Sequence, residues 1–422
     1  MDRKNTLALH GGQPVAREGG PSWPETGQLE ASAVGRVALS GKWGLEGDEQ
    51  FLFAEEFSRL QNVGHTVPVA NGTVALQLAL EALDIGRGDE VIVPSLTWQA
   101  TAAAVLDVNA LPIFADILPE TYCINPKAVE AKITRRTKAV IVVHLYGSMA
   151  DLDAFNRIAS KHNLALIEDC AHAHGGRWAG WGAGAVGIIG TFSYQSSKTL
   201  TSGEGGAVVT ADPVLADRLI SAANAGRRPE RPLAPEQWSP IQSGNYRLSA
   251  LQAGLLRAQM QRFRAQHAAR TAMRPCLDRV ASQFAGIYPM SFQPRVTVPI
   301  SYKYVFRVDA GVFDGVSVPV LRKALAAELR CEVVGPYEPL TESPYYLPHT
   351  KRRHHIDPDY WMAIAPSPDT GDVTVARTAW ERALCLEHSF MRRPEAHRQL
   401  EAALTKLAEH VDELRDIQLG AG

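Results

Sequence analysis

The sequence predicts an α/β protein: a mostly parallel central sheet covered by helices, followed by a smaller C-terminal α+β domain. Three observations carry this. Between about residues 65 and 210, short continuous Val/Ile/Leu runs alternate with stretches of helical periodicity, the pattern of strands buried on both faces. Polar motifs follow those runs directly, where such sheets place their ligands. A chain of 422 residues is also too long for one ordinary core. The expected division is a large domain with an N-terminal arm over 1–265 and a small domain over 266–422.

In chain order, "TVALQLALEAL" (73–83) has apolar residues at helical spacing and "DEVIVP" (89–94) reads as a strand. A second helix pattern, "TWQATAAAVLD", precedes strands at "PIFAD" (112–116), "KAVIVVHL" (138–145) and "LALIED" (164–169). The amphipathic "DLDAFNRIASKHN" (151–163) lies between the last two, and "GAVGIIGTF" then reads as another buried strand. "GRRPERPLAPEQWSPIQSGN" (226–245), rich in Pro, Gly and Arg, is a long excursion of the kind that carries function. A long helix over roughly 247–271 leads to the second domain, where "SYKYVFRV" (301–308) reads as a strand and 317–329 and 394–414 as helices.

The formal net charge is only −2, without the basic stripe of a nucleic-acid binder. Cys123, Cys170, Cys276, Cys331 and Cys385 are scattered, with no CxxC spacing, which fits a reducing compartment without structural disulfides. The start, "MDRKNTLALHGGQPV", lacks the apolar core of a signal peptide, and no apolar run approaches a membrane span. The expectation is a cytoplasmic protein with neither membrane nor nucleic-acid partners.

Four features bear chemistry. Gly72 and Thr73 open a helix, and exposed N–H groups there make an anion site, although a plain N-cap reads the same way. Trp98 follows a strand, where its indole would stack on a planar ring or serve as core. "ALIEDCAHAHGG" ends a buried strand with Glu168 and Asp169, and a buried carboxylate needs a donor or cationic partner. His172 and His174 follow, but no third residue at metal-ligand spacing accompanies them, so no metal is expected. Last, Lys198 stands in "SYQSSKTLTSGEGG" (193–206) among small residues, with only Glu204 as charged company. An amine held in such a pocket loses its proton readily and attacks carbonyls. An anion site, an aromatic platform, a strand-end acid and a lysine on one sheet match a cofactor with a phosphate, a pyridine ring and an aldehyde. Pyridoxal 5′-phosphate has all three.

The segments "NGT", "PSLTW.AT", "VHLYG..AD", "IEDCAHAHG", "TFSYQSSK.LTSGEGG" and "GNYRLS" together resemble the DegT/DnrJ/EryC1/StrS family of pyridoxal-phosphate aminotransferases. The likeness covers about residues 30–260 well and the C-terminal part loosely. It implies the aspartate-aminotransferase-like fold type I, with Lys198 as the Schiff-base lysine, Asp169 on the pyridine nitrogen and His172 on the ring hydroxyl. Trp98 would stack on the ring, and Gly72, Thr73 and Ser193 would hold the phosphate. Asn245 would reach the phosphate of a neighbouring subunit, which implies a homodimer with shared sites and makes the 226–245 excursion an interface segment. Many relatives have an aspartate where this chain has Ile188, a change expected to alter local packing only. Sugar dehydratases of the family replace the lysine by histidine, so retention of Lys198 argues for amino transfer.

The resemblance implies two half-reactions, in which Lys198 moves a proton between the donor carbon and the cofactor. "SLTWQATAAAVLDVNALPIFADILPETYCINP" and "VVHLYGSMADLDAF" look closest to glutamine-dependent aminotransferases of scyllo-inosose and 2-deoxy-scyllo-inosose in aminocyclitol antibiotic biosynthesis. "DCAHAHGGRW" is also similar to the 3-amino-5-hydroxybenzoate synthases, and nucleotide-keto-sugar aminotransferases are a third branch. A binding or regulatory paralogue is the non-enzyme alternative; it would carry a DNA-binding extension or have lost Lys198 or Asp169. His144 and Cys170 read as structural, "KRRHH" (351–355) as a solvated loop, and Trp43 as a substrate contact from the N-terminal segment.

Overall fold

The computed structural model describes residues 6–237, 241–352, 357–364 and 373–419. The sheet that organises it has seven strands: β1 (His65–Val69), β2 (Glu90–Pro94), β3 (Leu111–Ala115), β4 (Thr137–Val143), β5 (Ala165–Asp169), β8 (Ile189–Ser193) and β9 (Gly206–Thr210). The short β6 (Arg177–Trp178) and β7 (Trp181–Gly182) form a hairpin beside it. The strand order is β1-β9-β8-β5-β4-β2-β3. Only β9 runs against its neighbours; the other adjacent pairs are parallel. Strands β2, β8 and β9 are buried at every residue, as their unbroken apolar runs predict.

Helices α1 (Gln28–Ser40), α2 (Glu49–Gln61), α3 (Gly72–Ala82), α4 (Ala100–Asp107), α5 (Pro126–Glu130), α6 (Leu152–His162) and α7 (Pro213–Ala223) surround this sheet. Their starts follow local chemistry. Asn71, Asn125, Asp151 and Asp212 each turn a side-chain oxygen onto the N–H groups of the first turn. The apolar side chains fall into two layers. One joins Phe57, Phe155 and Phe192 with Leu256 and Phe263; the other joins Leu76 and Leu80 with Val91, Ile141, Ile167 and Val208.

Helix α8 (Ala250–Ala281) starts at a Ser249/Gln252 capping box and runs 32 residues, well beyond the expected end at 271. The division expected at 265/266 falls inside it. Its first half meets α1 and α2, which the sequence reading did not foresee, and its second half reaches a four-stranded antiparallel sheet. That sheet, β10-β12-β14-β13, comprises β10 (Ile287–Pro289), β12 (Lys303–Val308), β14 (Ala383–Glu387) and β13 (Val333–Val334). Strand β11 (Val296–Val298) instead pairs with β6. Helices α9 (Val318–Leu329), α10 (Pro358–Ile364), α11 (Thr374–Arg382), α12 (Ala396–Glu409) and α13 (Val411–Leu419) complete the C-terminal part. The single helix expected over 394–414 is thus two, broken at His410. Leu7 from the N-terminal segment joins this second core, and Glu328 accepts the N–H groups of Ala8 and Val15.

The 226–245 excursion leaves and returns at one point, where Asn224 and Asn245 pair and Ala225 N–H bonds Gly244 O. Asp217 on α7 accepts the N–H groups of Leu233 and Ala234 and pins its middle.

Candidate active site

Strand β5 ends between β4 and β8, with Asp169 opposite Val143 and Thr191. Asp169 is buried. Its Oδ1 accepts the Ala171 N–H at 3.1 Å and its Oδ2 the Thr101 hydroxyl at 3.3 Å. Burial pushes its carboxyl above the usual range; those two bonds and the charge of Lys198 pull the other way without cancelling it.

Glu168 has the opposite surroundings. Pointing to the other face of the strand, it accepts from His144 Nε2 (2.9 Å) and from the N–H groups of Gly184 (2.9 Å), Val186 (2.9 Å) and Gly187 (2.6 Å). Burial would raise Glu168, but these bonds outweigh it and leave the group below the usual range. The acid therefore ties down the 184–187 loop, and the strand expected over 184–192 begins only at Ile189. His144 Nδ1 accepts the Ala150 N–H at 3.2 Å, so its proton sits on Nε2 and is donated to Glu168. His144, Glu168 and the Cys170 thiol lie close enough for a metal ion, yet the carboxylate and both ring nitrogens are already engaged, and burial raises the thiol. The triad is structural. Ile188 is 43% exposed and leaves these bonds intact.

Lys198 is buried on a turn closed by its own N–H to Gln195 O, and its Nζ lies 2.9 Å from His172 Nε2. Desolvation lowers the amine to about 8; Asp169 and Glu387 act against the shift and Lys303 with it. His172, desolvated and facing Lys198, is held well below its usual range and is neutral. Its Nδ1 accepts the Tyr146 N–H at 3.3 Å. Tyr146 can aim that N–H because its backbone is left-handed (φ 54°), in the "LYG" turn after β4. Such a conformation is costly for a non-glycine residue and concentrates at functional sites.

At the sheet's same end, Asn71 Oδ1 caps α3 through Val74 N–H, leaving the Gly72 and Thr73 N–H groups without partners among the described residues. Ser193 is buried against Gly72, where an added Cβ would lie 2.7 Å from the serine Cβ. Trp98 is 50% exposed, its ring 5.5 Å from that of Tyr337 at 53°. Asn245 is exposed, on a segment whose Tyr246 O accepts the Ala70 N–H just before α3. The structure thus puts His172 in contact with Lys198, within reach of the charge of Asp169, and sets Ser193 against Gly72 at the start of α3. It gives Asn245 no bond to any of them within the chain. His174 turns away, packing on Phe192 and Tyr194. Trp43 is 55% exposed and bonds Ala38 O. In the 351–355 tract, residues 353–355 lie outside the described residues.

Sequence reasoning missed the aromatic wall. Tyr302 stacks on His172 with centroids 3.9 Å apart at 16°, and Tyr146 and Tyr337 flank the same ring. Tyr302 and Tyr337 come from the C-terminal part, where no spacing ties them to the lysine motif. Only "VHLYG", with its Tyr-Gly turn, carried a readable signal.

Residues 24–357 match the model of the DegT/DnrJ/EryC1/StrS aminotransferase family. An L-glutamine:2-deoxy-scyllo-inosose aminotransferase of Streptomyces lividus is 39% identical over 96% of this chain and 98% of its own. The L-glutamine:scyllo-inosose aminotransferase of Streptomyces griseus is 36% identical over 97% of this chain and 99% of its own. The crystal structure of 3-amino-5-hydroxybenzoic acid synthase superposes with a TM-score of 0.80 at 29% identity, covering 94% of this chain and all of that one.

Proposed function

The chain belongs to the DegT/DnrJ/EryC1/StrS aminotransferases, a family of pyridoxal-phosphate transaminases, and we propose that it carries the amino group of L-glutamine to a ketone on a cyclitol ring in aminocyclitol antibiotic biosynthesis. The observation that carries the chemistry is Lys198 Nζ, desolvated and 2.9 Å from a neutral His172 beside the Asp169 strand end. The acceptor and donor rest on the named relatives, which match along nearly the whole chain. A second reading, an enzyme like 3-amino-5-hydroxybenzoate synthase, is supported by the fold likeness at lower identity.

The residues fit pyridoxal 5′-phosphate. Asp169 is a buried carboxylate with no direct cationic partner among the described residues, as a protonated pyridine nitrogen requires. Free N–H groups at the start of α3 and the tight Gly72–Ser193 approach suit a phosphate. When bound, the cofactor supplies an aldehyde for the migrating amine and a ring that accepts charge from the carbon losing its proton. Nζ of Lys198 takes that proton from the donor's α-carbon and later returns one to the acceptor's ring carbon. Asp169 would hold the proton on the ring nitrogen, His172 would meet the ring hydroxyl, and Trp98 would lie over the ring. Gly72, Thr73 and Ser193 would hold the phosphate, together with Asn245 of a second copy in a homodimer. The buried Tyr146 and Tyr302 limit the water that reaches the Lys198 amine.

Lys198→Ala should lose turnover and the absorbance of bound cofactor together. With glutamine as donor, scyllo-inosose, 2-deoxy-scyllo-inosose and a 4-keto nucleotide sugar would be offered separately. Amination of a cyclitol ketone is expected; amination of the nucleotide sugar alone would overturn the acceptor assignment.

A further inference from the structure

The Lys198–His172 contact constrains protons as well as positions. A ring nitrogen that accepts a hydrogen bond carries no proton. Since His172 Nδ1 accepts the Tyr146 N–H, the proton of the neutral ring is on Nε2. Nε2–H can only donate, and 2.9 Å away Lys198 Nζ can accept only through a free lone pair. An ammonium has none. Protonating Lys198 would force His172 to give up one of its two bonds or turn its ring.

What keeps the ring from turning is Tyr302. Its face lies 3.9 Å from the imidazole, nearly parallel. Its N–H bonds Tyr146 O at 3.2 Å, so the residue whose N–H aims at His172 is also held at its carbonyl. Its hydroxyl lies 3.0 Å from Ser197 Oγ; that serine already donates to Gln195 Oε1, so Tyr302 is the donor and grips the residue beside Lys198. We propose that Tyr302 is a positioning residue: by locking the His172 ring, it favours the uncharged form of the Lys198 amine.

The other charged or titratable groups facing the pair do not supply this lock. Asp169 on β5 and Glu387 on β14 favour the ammonium, Lys303 on β12 opposes it while paired to Glu387 at 2.7 Å, and His174 is neutral. The ring of Tyr302 itself lies 5.0 Å from Nζ, a distance at which its face attracts an ammonium. Removing the ring therefore has opposite electrostatic consequences, told apart by the sign of the change; water admitted beside the amine would also raise it but leave the His172 proton on Nε2, so the ¹⁵N shifts of His172 in Tyr302→Leu are read alongside.

The measurement is trace acetylation of the full-length chain, stripped of cofactor, across pH 6 to 10, with the peptide bearing Lys198 quantified by mass spectrometry. It needs no turnover, so it stands even if the acceptor or the cofactor role of Lys198 is wrong. The wild-type midpoint is expected near 8. Tyr302→Leu should raise it by about one unit, because the freed ring lets His172 accept from an ammonium. Tyr302→Phe, which keeps the stack and the main-chain bond, should leave the midpoint where it is. An unchanged or lowered midpoint in Tyr302→Leu would overturn the proposal, as would an equal shift in Tyr302→Phe. Should Tyr302→Leu fail to fold, the ¹⁵N shifts of His172 in the wild-type chain at pH 9 decide: a proton on Nε2 supports the lock, and one on Nδ1 sinks it.

Discussion

Burying an amine costs stability, and at Lys198 the cost has a definite pH window. The group titrates near 8 in the fold against 10.5 in the open chain. Between those values the unfolded chain holds a proton that the folded chain has released, so stability rises with pH across the window. Below about 8 both states are protonated and the whole penalty is felt. Cofactor-free Lys198→Met should therefore exceed the wild type in stability at pH 7 by roughly 2–3 kcal/mol, with the gap closing above the open-chain value. Urea denaturation of both chains at pH 7 and at pH 10.5 measures this; a gap that persists at the higher pH would contradict it. Glu168 behaves inversely. Its depressed carboxyl adds stability at neutral pH that is lost as the pH falls through and below the ordinary carboxylate range. Glu168→Gln replaces an acceptor-only oxygen by an NH₂ facing N–H donors, so it should cost about 3 kcal/mol in urea denaturation. Reactivity of Lys198 toward acetic anhydride should survive the change, because Glu168 lies on the opposite face of β5 from Asp169.

At the level of elements, the start of α3 is the surface proposed to take the cofactor's phosphate. Asn71 satisfies the Val74 N–H with its side chain and the Ala75 N–H with its carbonyl, so the first two amides of the helix remain available. Gly72 lets Ser193 from the end of β8 approach them. In Gly72→Ala the new Cβ, 2.7 Å from the serine Cβ, must push the two elements apart. Pyridoxal-phosphate affinity, titrated by absorbance, should fall about tenfold, or roughly 1.4 kcal/mol; unchanged affinity would remove the cradle from the account. The elements that make this end of the sheet were legible because each reports itself locally. Unbroken runs such as "AVIVV" mark doubly buried strands, and Asn71 and Asp151 mark helix starts. Helices α1 and α2 were not legible in that way. Their inward sides carry charge, with Glu30 bonded to Arg262 and Glu49 and Glu56 to Arg257, so neither presents a simple apolar stripe. The loop at 184–187 was missed for a related reason, since Glu168 holds it rather than any pattern of its own.

Across the whole molecule, the Lys198 turn is where three distant parts of the chain converge. Trp23 Nε1 donates to Ser196 O at 2.9 Å, His388 Nε2 lies 3.2 Å from Ser197 O, and Tyr302 reaches Ser197 Oγ. The sequence motif announces the lysine but not these partners, which lie 105 or more residues away. Contacts at such separations leave no local pattern to read. The same holds for the proposed homodimer, in which Asn245 would complete the partner's phosphate cradle. Its exposure, on an excursion with its ends held together, leaves it free to act outside its own chain. Mixing variants tests this directly. Lys198→Ala and Asn245→Ala chains would be unfolded, combined in equal amounts and refolded with pyridoxal phosphate. If each site takes Lys198 from one chain and Asn245 from the other, half the dimers are mixed and each regains one intact site, so about a quarter of wild-type activity should return. If Asn245 serves its own chain, the only intact lysine always sits beside the altered asparagine. Mixing then yields no more than the two variants give apart, and the shared-site arrangement fails.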